Sequence, residues 1–321
     1  MVRCSLSAYS YALAKKTNCE KLLSESPEST SAYLEDSDGN MRALVSMVKY
    51  SPTQAYCTIA EQDHTLKGKY ICVKETENPC CLKITATKDT PENTRFLPVY
   101  VQVHHNPKSR LPLEHLIDQL SKSVLGQLNL DLKKNVTVDL LDDDNLDIWR
   151  DKAAFFVTDQ QHLCELTAYV PEFLQTLRYD NDDGISITRL NELNKNDVFN
   201  YDQKVSGINR VAFLEKLFQQ STIYVAEDEK EGYIEGYLVA KGDRVLALYA
   251  NTESSAHMLM EKFLNSHSFK KVTICTRQRC WQVERSPGTQ LQRIYRRHTR
   301  YVPTNINWNK VYALNVGLHI L

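Results

Sequence analysis

Two adjacent histidines, His104 and His105, end an apolar, β-branched run beginning at Phe96, and Asn106-Pro107 and the cations Lys108 and Arg110 follow at once. An imidazole ionises near about pH 6.5, so it can take a proton from an incoming nucleophile at neutral pH. If the run is a strand, alternation turns one of the pair into any cleft beside it. The spacing then becomes helical. Pro112 suits a first helical turn, Glu114 the next positions, and Leu113, Leu116, Ile117 and Leu120 make one apolar stripe. A strand running through a short basic loop into a helix leaves the first helical N–H groups unpaired, which suits a phosphate or pyrophosphate, although an ordinary crossover has the same pattern. Glu61 and Glu75 end neighbouring predicted strands and could act through a water. Cys57 and Cys72 sit within such strands as small apolar groups rather than nucleophiles.

The elements that must position these groups follow from periodicity. Residues 1–40 are Ser-rich and weakly periodic, closing in a polar run. MRALVSMVKY from Met41 reads as a helix, AYCTIAEQD, KYICVKET and CLKITAT as strands, VTVDLL as a strand, NLDIWRDKAAFF as a short helix running into a strand, and HLCELTAYV as a last strand. The acidic stretch from Pro171 to Gly184 is the expected domain boundary. That gives an N-terminal segment at 1–40, a first domain at 41–175 and a second at 185–321. In the second half, ISITRL is a strand, NELNKNDVFNYDQKV and NRVAFLEKLFQQ are helices, and TIYVAEDEK, YIEGYLVAKGD and RVLALYAN form an antiparallel run. Ser254 is expected to cap the helix SAHMLMEKFLNS, before the strand KVTICTR, the helix TQLQRIYRRHT and the strand KVYALNVGL. Both halves thus repeat one order of elements.

At 321 residues the chain exceeds one ordinary core and fits two domains. With 42% hydrophobic and 25% charged residues and a net charge of −1, it matches soluble globular proteins and has no global attraction for nucleic acid or membrane. No apolar run approaches the ~18 residues that span a bilayer, and the N-terminus has no unbroken apolar signal core, so a cytoplasmic or nuclear location is expected. Nine cysteines, an odd number, lie in strands and loops without disulfide or zinc spacing, and no metal site is expected. One local charge stands out. From Lys270 to Arg300 there are nine Lys or Arg and one acid, Glu284, a local charge of +8. Arg293, Arg296, Arg297 and Arg300 would share one side of a helix, as a solvated face, a phosphate site or a nucleic-acid contact.

The order of elements resembles the GNAT superfamily of acyl-CoA-dependent N-acyltransferases. The resemblance covers about residues 41–321 and sharpens in the second half, where Gly207-Ile208-Asn209-Arg210 precedes a helix and Leu248-Tyr249-Ala250 ends a strand, as in the second domain of two-domain relatives. It implies a mixed α/β fold of two tandem GNAT-like domains. It also implies acetyl-CoA or another acyl-CoA as cofactor, and a small-molecule or peptide amine as acceptor. In the superfamily, [RQ]-x-x-G-x-[GA] between the fourth strand and the third helix cradles the pyrophosphate. Here KSRLPL falls on it, with Lys108 at the Arg/Gln position, Ser109 and Arg110 within the loop, and Leu111 and Leu113 at the two small positions. Backbone from Val101 to Val103 would pair with the pantetheine, His104, His105 or Glu61 would serve as base, and Asn145 matches an Asn of the fourth helix. The acid tyrosine expected seven residues later is replaced by Lys152, and Tyr295 is the comparable tyrosine of the second half. These departures open the alternative of a non-catalytic binding protein that keeps the fold.

Overall fold

The computed structural model describes residues 29–35, 41–63, 66, 70–72, 86–87, 109–110, 112–126, 131–141, 149–150, 154–158, 161–179, 184–300 and 306–314. Its contacts divide the chain into two units. One comprises residues 1–158 and 296–301, the other 159–295 and 302–321. The acidic stretch from Pro171 to Gly184 lies inside the second unit, and so does HLCELTAYV.

In the first unit, β1 (Ser29–Glu35), β2 (Met41–Ser51) and β3 (Gln54–Gln62) form an antiparallel run. MRALVSMVKY is therefore a strand and not the expected helix. Ala43, Val45 and Met47 alternate onto one buried face while β1 and β3 take up the backbone groups on both edges, which outweighs the helix-like apolar spacing. Short strands β4 (Tyr70–Cys72), β5 (Ala86–Thr87) and β6 (Ser109–Arg110) make a separate small sheet. Helix α1 (Pro112–Leu125) starts at the proline as expected, with Leu113, Leu116, Ile117 and Leu120 all buried. It packs on β1, β2 and β3, and the Ser121 hydroxyl lies 3.8 Å from the Met47 sulfur. Strand β7 (Asn135–Leu141) then returns parallel to β3, and β8 (Val157–Thr158) follows.

The second unit repeats this motif around a larger core. Strand β9 (Leu163–Tyr169) and helix α2 (Val170–Thr176) lead into β10 (Ile185–Arg189), helices α3 (Lys195–Ser206) and α4 (Val211–Gln219), and strands β11 (Thr222–Asp228), β12 (Ile234–Lys241) and β13 (Arg244–Ala250). Helix α5 (Glu253–Asn265) crosses over to β14 (Lys271–Arg277), parallel to β13. Strands β15 (Gln290–His298) and β16 (Val311–Ala313) close the chain. Thr252, not Ser254, caps α5, its hydroxyl accepting from the Ser255 N–H at 3.1 Å. Leu238, Leu248, Met260, Phe263 and Trp281 belong to one buried cluster on the α5 face, and α3 and α4 bury Phe199, Tyr201, Phe213 and Phe218. Phe199 stacks on Phe218, whose edge meets Tyr237 of β12. At about 25 cal/mol per Å² of apolar area, such residues supply most of the gain that holds each helix to its sheet.

TQLQRIYRRHT is likewise a strand where a helix was expected. Residues Gln290 to Ile294 of β15 pair with β9, and Arg297 and His298 pair with β8. The buried positions Ile294 and Arg296 are two apart, the period of a strand, and Arg296 is buried because its charge is met inside the first unit. Among the described residues no helix is long and apolar enough to cross a membrane.

Candidate functional site

Among the described residues, each unit contains a pair of parallel strands joined by a crossover helix, and in each the pairing stops after two or three residues. In the first unit β3 and β7 are in register only at Gln54↔Asn135, Ala55↔Val136 and Tyr56↔Thr137, yet β3 runs on to Gln62 and β7 to Leu141. Beside the fork, the β2 register jumps from Ser46↔Ile59 to Met47↔Cys57, leaving Thr58 as the extra residue of a bulge. A bulge strengthens twist and bends its strand, which is how a pair that starts in register can diverge. The second unit has the same device. Strands β13 and β14 pair only at Arg244↔Thr273 and Val245↔Ile274, and the shift between Val239↔Ala247 and Ala240↔Val245 leaves Leu246 as the extra residue.

A polar cluster sits at the first fork. The Asp139 carboxylate accepts from Arg296 Nε at 2.8 Å, from Arg296 Nη2 at 2.7 Å and from the Tyr56 hydroxyl at 3.1 Å, with all three residues buried. Burial, then the Asp139 charge, pushes the Tyr56 hydroxyl well above the ordinary phenol range, so it stays protonated and donates. Thr137 Oγ1 lies 2.9 Å from His298 Nδ1, and Asn135 Nδ2 donates to Gln54 Oε1 at 3.1 Å and Thr137 Oγ1 at 3.2 Å. The fork is thus pinned where the strands meet. The sequence carried one signal of this cluster, the lone Asp139 within the apolar VTVDLL, but its partner lies 157 positions away.

Of the residues singled out by sequence, Val101, Val103, His104, His105, Lys108, Leu111 and Asn145 lie outside the described residues, as does Lys152. Glu61 is on β3 opposite Leu44, in the part that runs past the fork. Ser109 and Arg110 form β6, pairing with Cys72 and Ile71. Leu113 is the second residue of α1 and only 6% exposed, so its side chain serves the apolar face of the helix. Tyr295 lies on a strand, half-buried, with the Arg293 guanidinium 4.6 Å from its ring centre. Cys57 is buried and its thiol is pushed up to about 12 by burial, which favours the thiol over the thiolate at neutral pH. No group of three or more His, Cys, Asp or Glu that could hold a metal occurs among the described residues.

The second fork differs in what fills it. Strand β16 pairs antiparallel with β13 at Leu248↔Ala313 and Tyr249↔Val311, and Leu314 bridges to Cys275 of β14, its N–H donating to the Cys275 carbonyl at 2.8 Å. The Tyr312 carbonyl accepts from Trp281 Nε1 at 3.0 Å and from Thr276 Oγ1 at 2.8 Å, and the Val311 carbonyl from Arg277 Nε at 3.3 Å. Lys310 Nζ donates to Asn251 Oδ1 at 2.6 Å. The turn from β13 to α5 holds only Asn251 and the cap Thr252, without glycine, and Glu253 sets a carboxylate in the first helical turn. Helix α1 has the same feature, with Glu114 in its first turn.

The Gly-x-x-Arg and Leu-Tyr-Ala segments serve packing. Gly207 ends α3 at φ 71°, a left-handed turn that costs glycine little, and Arg210 then folds back on Asp202. Asp202 accepts from Arg210 Nε at 3.0 Å, Arg210 Nη2 at 2.7 Å and the Tyr237 hydroxyl at 2.5 Å, while Arg210 Nη2 also donates to the Tyr249 hydroxyl at 3.2 Å. The +8 run is likewise dispersed rather than gathered on one helical face. Arg296 is paired with Asp139, Arg300 Nη1 donates to the Asp131 carbonyl at 2.9 Å, and Lys271 stands 4.5 Å from the Tyr169 ring centre.

Residues 198–292 match the model of an acetyltransferase (GNAT) domain, and residues 13–157 match that of a domain of unknown function, DUF7596. No curated protein sequence matches the chain. Among solved structures, a candidate acetyltransferase from Pyrococcus horikoshii superposes with TM-score 0.56 at 11% identity, over 94% of this chain and 83% of that one. The GCN5-related glucosamine N-acetyltransferase region of a fungal multi-domain GH3 β-N-acetylglucosaminidase gives 0.51 at 10%, over 87% of this chain and 34% of that one. These likenesses concern the fold. Residues 198–292 thus match a GNAT acetyltransferase domain, and the fold of the chain is the GNAT fold.

Proposed function

We propose that the chain is an acyl-CoA-dependent N-acyltransferase, transferring acetyl or another short acyl group to an amine, with its carrier site at the fork of the first unit. The observation that carries this reading is that β3 and β7 part after Tyr56↔Thr137, with no described strand pairing with β3 in the gap. An extended carrier arm lying there would find the edge of β3 that faces away from β2, from Thr58 to Glu61. The N-terminus of α1, at the end of the crossover from β3, would face the phosphates, with Lys108 and Arg110 supplying positive charge. His104, His105 or Glu61 would take the amine proton, and the protein's part is to orient the amine and polarise the thioester carbonyl.

A second reading is a GNAT-fold binding protein without activity. It is favoured by Ser109 and Arg110 being taken into β6, and by Leu113 being committed to the core. Titrating full-length protein with acetyl-CoA in a calorimeter separates the two. The transferase reading expects binding in the range of about 1 μM to 1 mM. Absence of heat at millimolar ligand would abandon it for the second. A screen of amines, amino acids and peptides with several acyl-CoA donors would then name the acceptor.

A further inference from the structure

The second fork has the form of the first but holds a piece of its own chain. We infer that Lys310 to Leu314 is a built-in occupant of the second unit's fork. On this account the second unit takes an extended polypeptide where the first takes a carrier, and the whole chain binds a single equivalent of acyl-CoA. The stoichiometry rests on the function proposed above, whereas the occupancy rests on the strand alone.

Several observations converge on the occupancy. The segment is paired to both walls of the fork, through Leu248 and Tyr249 on β13 and Cys275 on β14. Its outward hydrogen-bonding groups are met by side chains of the second unit, with Trp281, Thr276 and Arg277 donating to two successive carbonyls. Val311, Ala313 and Leu314 are at most 1% exposed, so the segment is part of the core and not a surface strap. An incoming thioester arm would have to break these backbone pairs and expose those three side chains. The antiparallel pairing also identifies the ligand class. A polypeptide can pair with the edge of β13 through its backbone, as Val311 and Ala313 do here, while its side chains reach the core.

Two measurements on the full chain test this. Calorimetry with acetyl-CoA is expected to give one equivalent, and amide exchange at residues 311–314 is expected to be slow, protected by at least about 100-fold, and to change less than about twofold at saturating acetyl-CoA. Two equivalents, or exchange at 311–314 that responds to acetyl-CoA, would overturn the inference. No binding together with slow exchange at 311–314 would remove the transferase reading and leave the occupancy standing. In Leu314→Pro, which deletes the N–H given to Cys275, exchange at 311–313 should rise by at least about tenfold. Unchanged exchange there would show that the fork does not hold the strand.

Discussion

Replacing Asp139 by Ala should loosen the first unit by an amount that the geometry fixes within a narrow range. Arg296 Nε and Nη2 lose acceptors at 2.8 and 2.7 Å, the Tyr56 hydroxyl loses one at 3.1 Å, and the Arg296 side chain is 0% exposed. Removing one partner from a buried ion pair leaves an uncompensated charge and costs about 3–5 kcal/mol. Because every ~1.4 kcal/mol is tenfold in an equilibrium, amides that exchange only when the unit opens should speed up by roughly two to three and a half orders of magnitude. The amides of Val45 to Val48, in the middle of β2, report this by hydrogen exchange and mass spectrometry, with β12 and β13 as the reference within the same molecule. Asp139→Leu combined with Arg296→Met removes both charges and should recover most of the loss, since apolar replacement of a whole buried pair is often neutral or stabilising. Acceleration of less than about tenfold in Asp139→Ala, or a double variant as open as the single, would refute the assignment of this cluster as the pin of the fork.

Three further outcomes are expected. Burial lowers the pKa of His257, whose Nδ1 accepts from the Arg178 N–H at 2.8 Å, against smaller opposite pulls from the Arg178 carbonyl and Glu253. As pH falls below about 6.5 the unfolded chain takes up this proton first, so stability present above that pH is lost on acidification, and the urea midpoint of the second unit should fall less between pH 7 and about pH 5 in His257→Gln. Gly236→Ala places a Cβ 2.6 Å from the Tyr249 carbonyl oxygen and 2.9 Å from Ala250 Cα, backbone atoms that cannot step aside, and should lower stability by about 1–3 kcal/mol in urea unfolding. Cys57 and Cys164, both pushed up to about 12 chiefly by burial, should resist iodoacetamide in the native protein at about pH 8 and react after unfolding, as mass spectrometry of peptides would show.

What could be read from the residues, and what could not, divides along the range of the forces involved. Helix α1 was evident because its stripe and its opening proline are local. Strands β2 and β15 were not. In MRALVSMVKY, Val45 and Val48 have helical spacing, and only the backbone partners β1 and β3 settle the choice. In LQRIYRRH the arginines look solvated, and only Asp139, far away in sequence, makes Arg296 a buried residue. The same limit affects the site. The parallel partner of β7 is β3, whose end at Gln62 is separated from Pro112 by a long stretch carrying β4 to β6, and the apolar run before His104 lies outside the described residues. A long insertion costs little entropy and leaves no mark on periodicity, so the pairing is decided by sheet topology alone.

The comparison of the two forks bears on what family likeness measures in this chain. The stretch matched as a GNAT domain, residues 198–292, contains the Asp202, Arg210, Tyr237 and Tyr249 clamp, the apolar face of α5 and both walls of the second fork. These features hold helices to a sheet. They would persist in any descendant that must fold, whether or not a carrier still enters. Both crossover helices carry a carboxylate in the first turn, Glu114 and Glu253, and neither is preceded by a glycine cradle, so what separates the two forks is the strand edge, which β16 covers in the second unit. Recognisable pattern therefore follows packing. Of the two forks, the first is the one in which no described strand covers the edge, since β3 continues for six residues beyond its last pairing with β7.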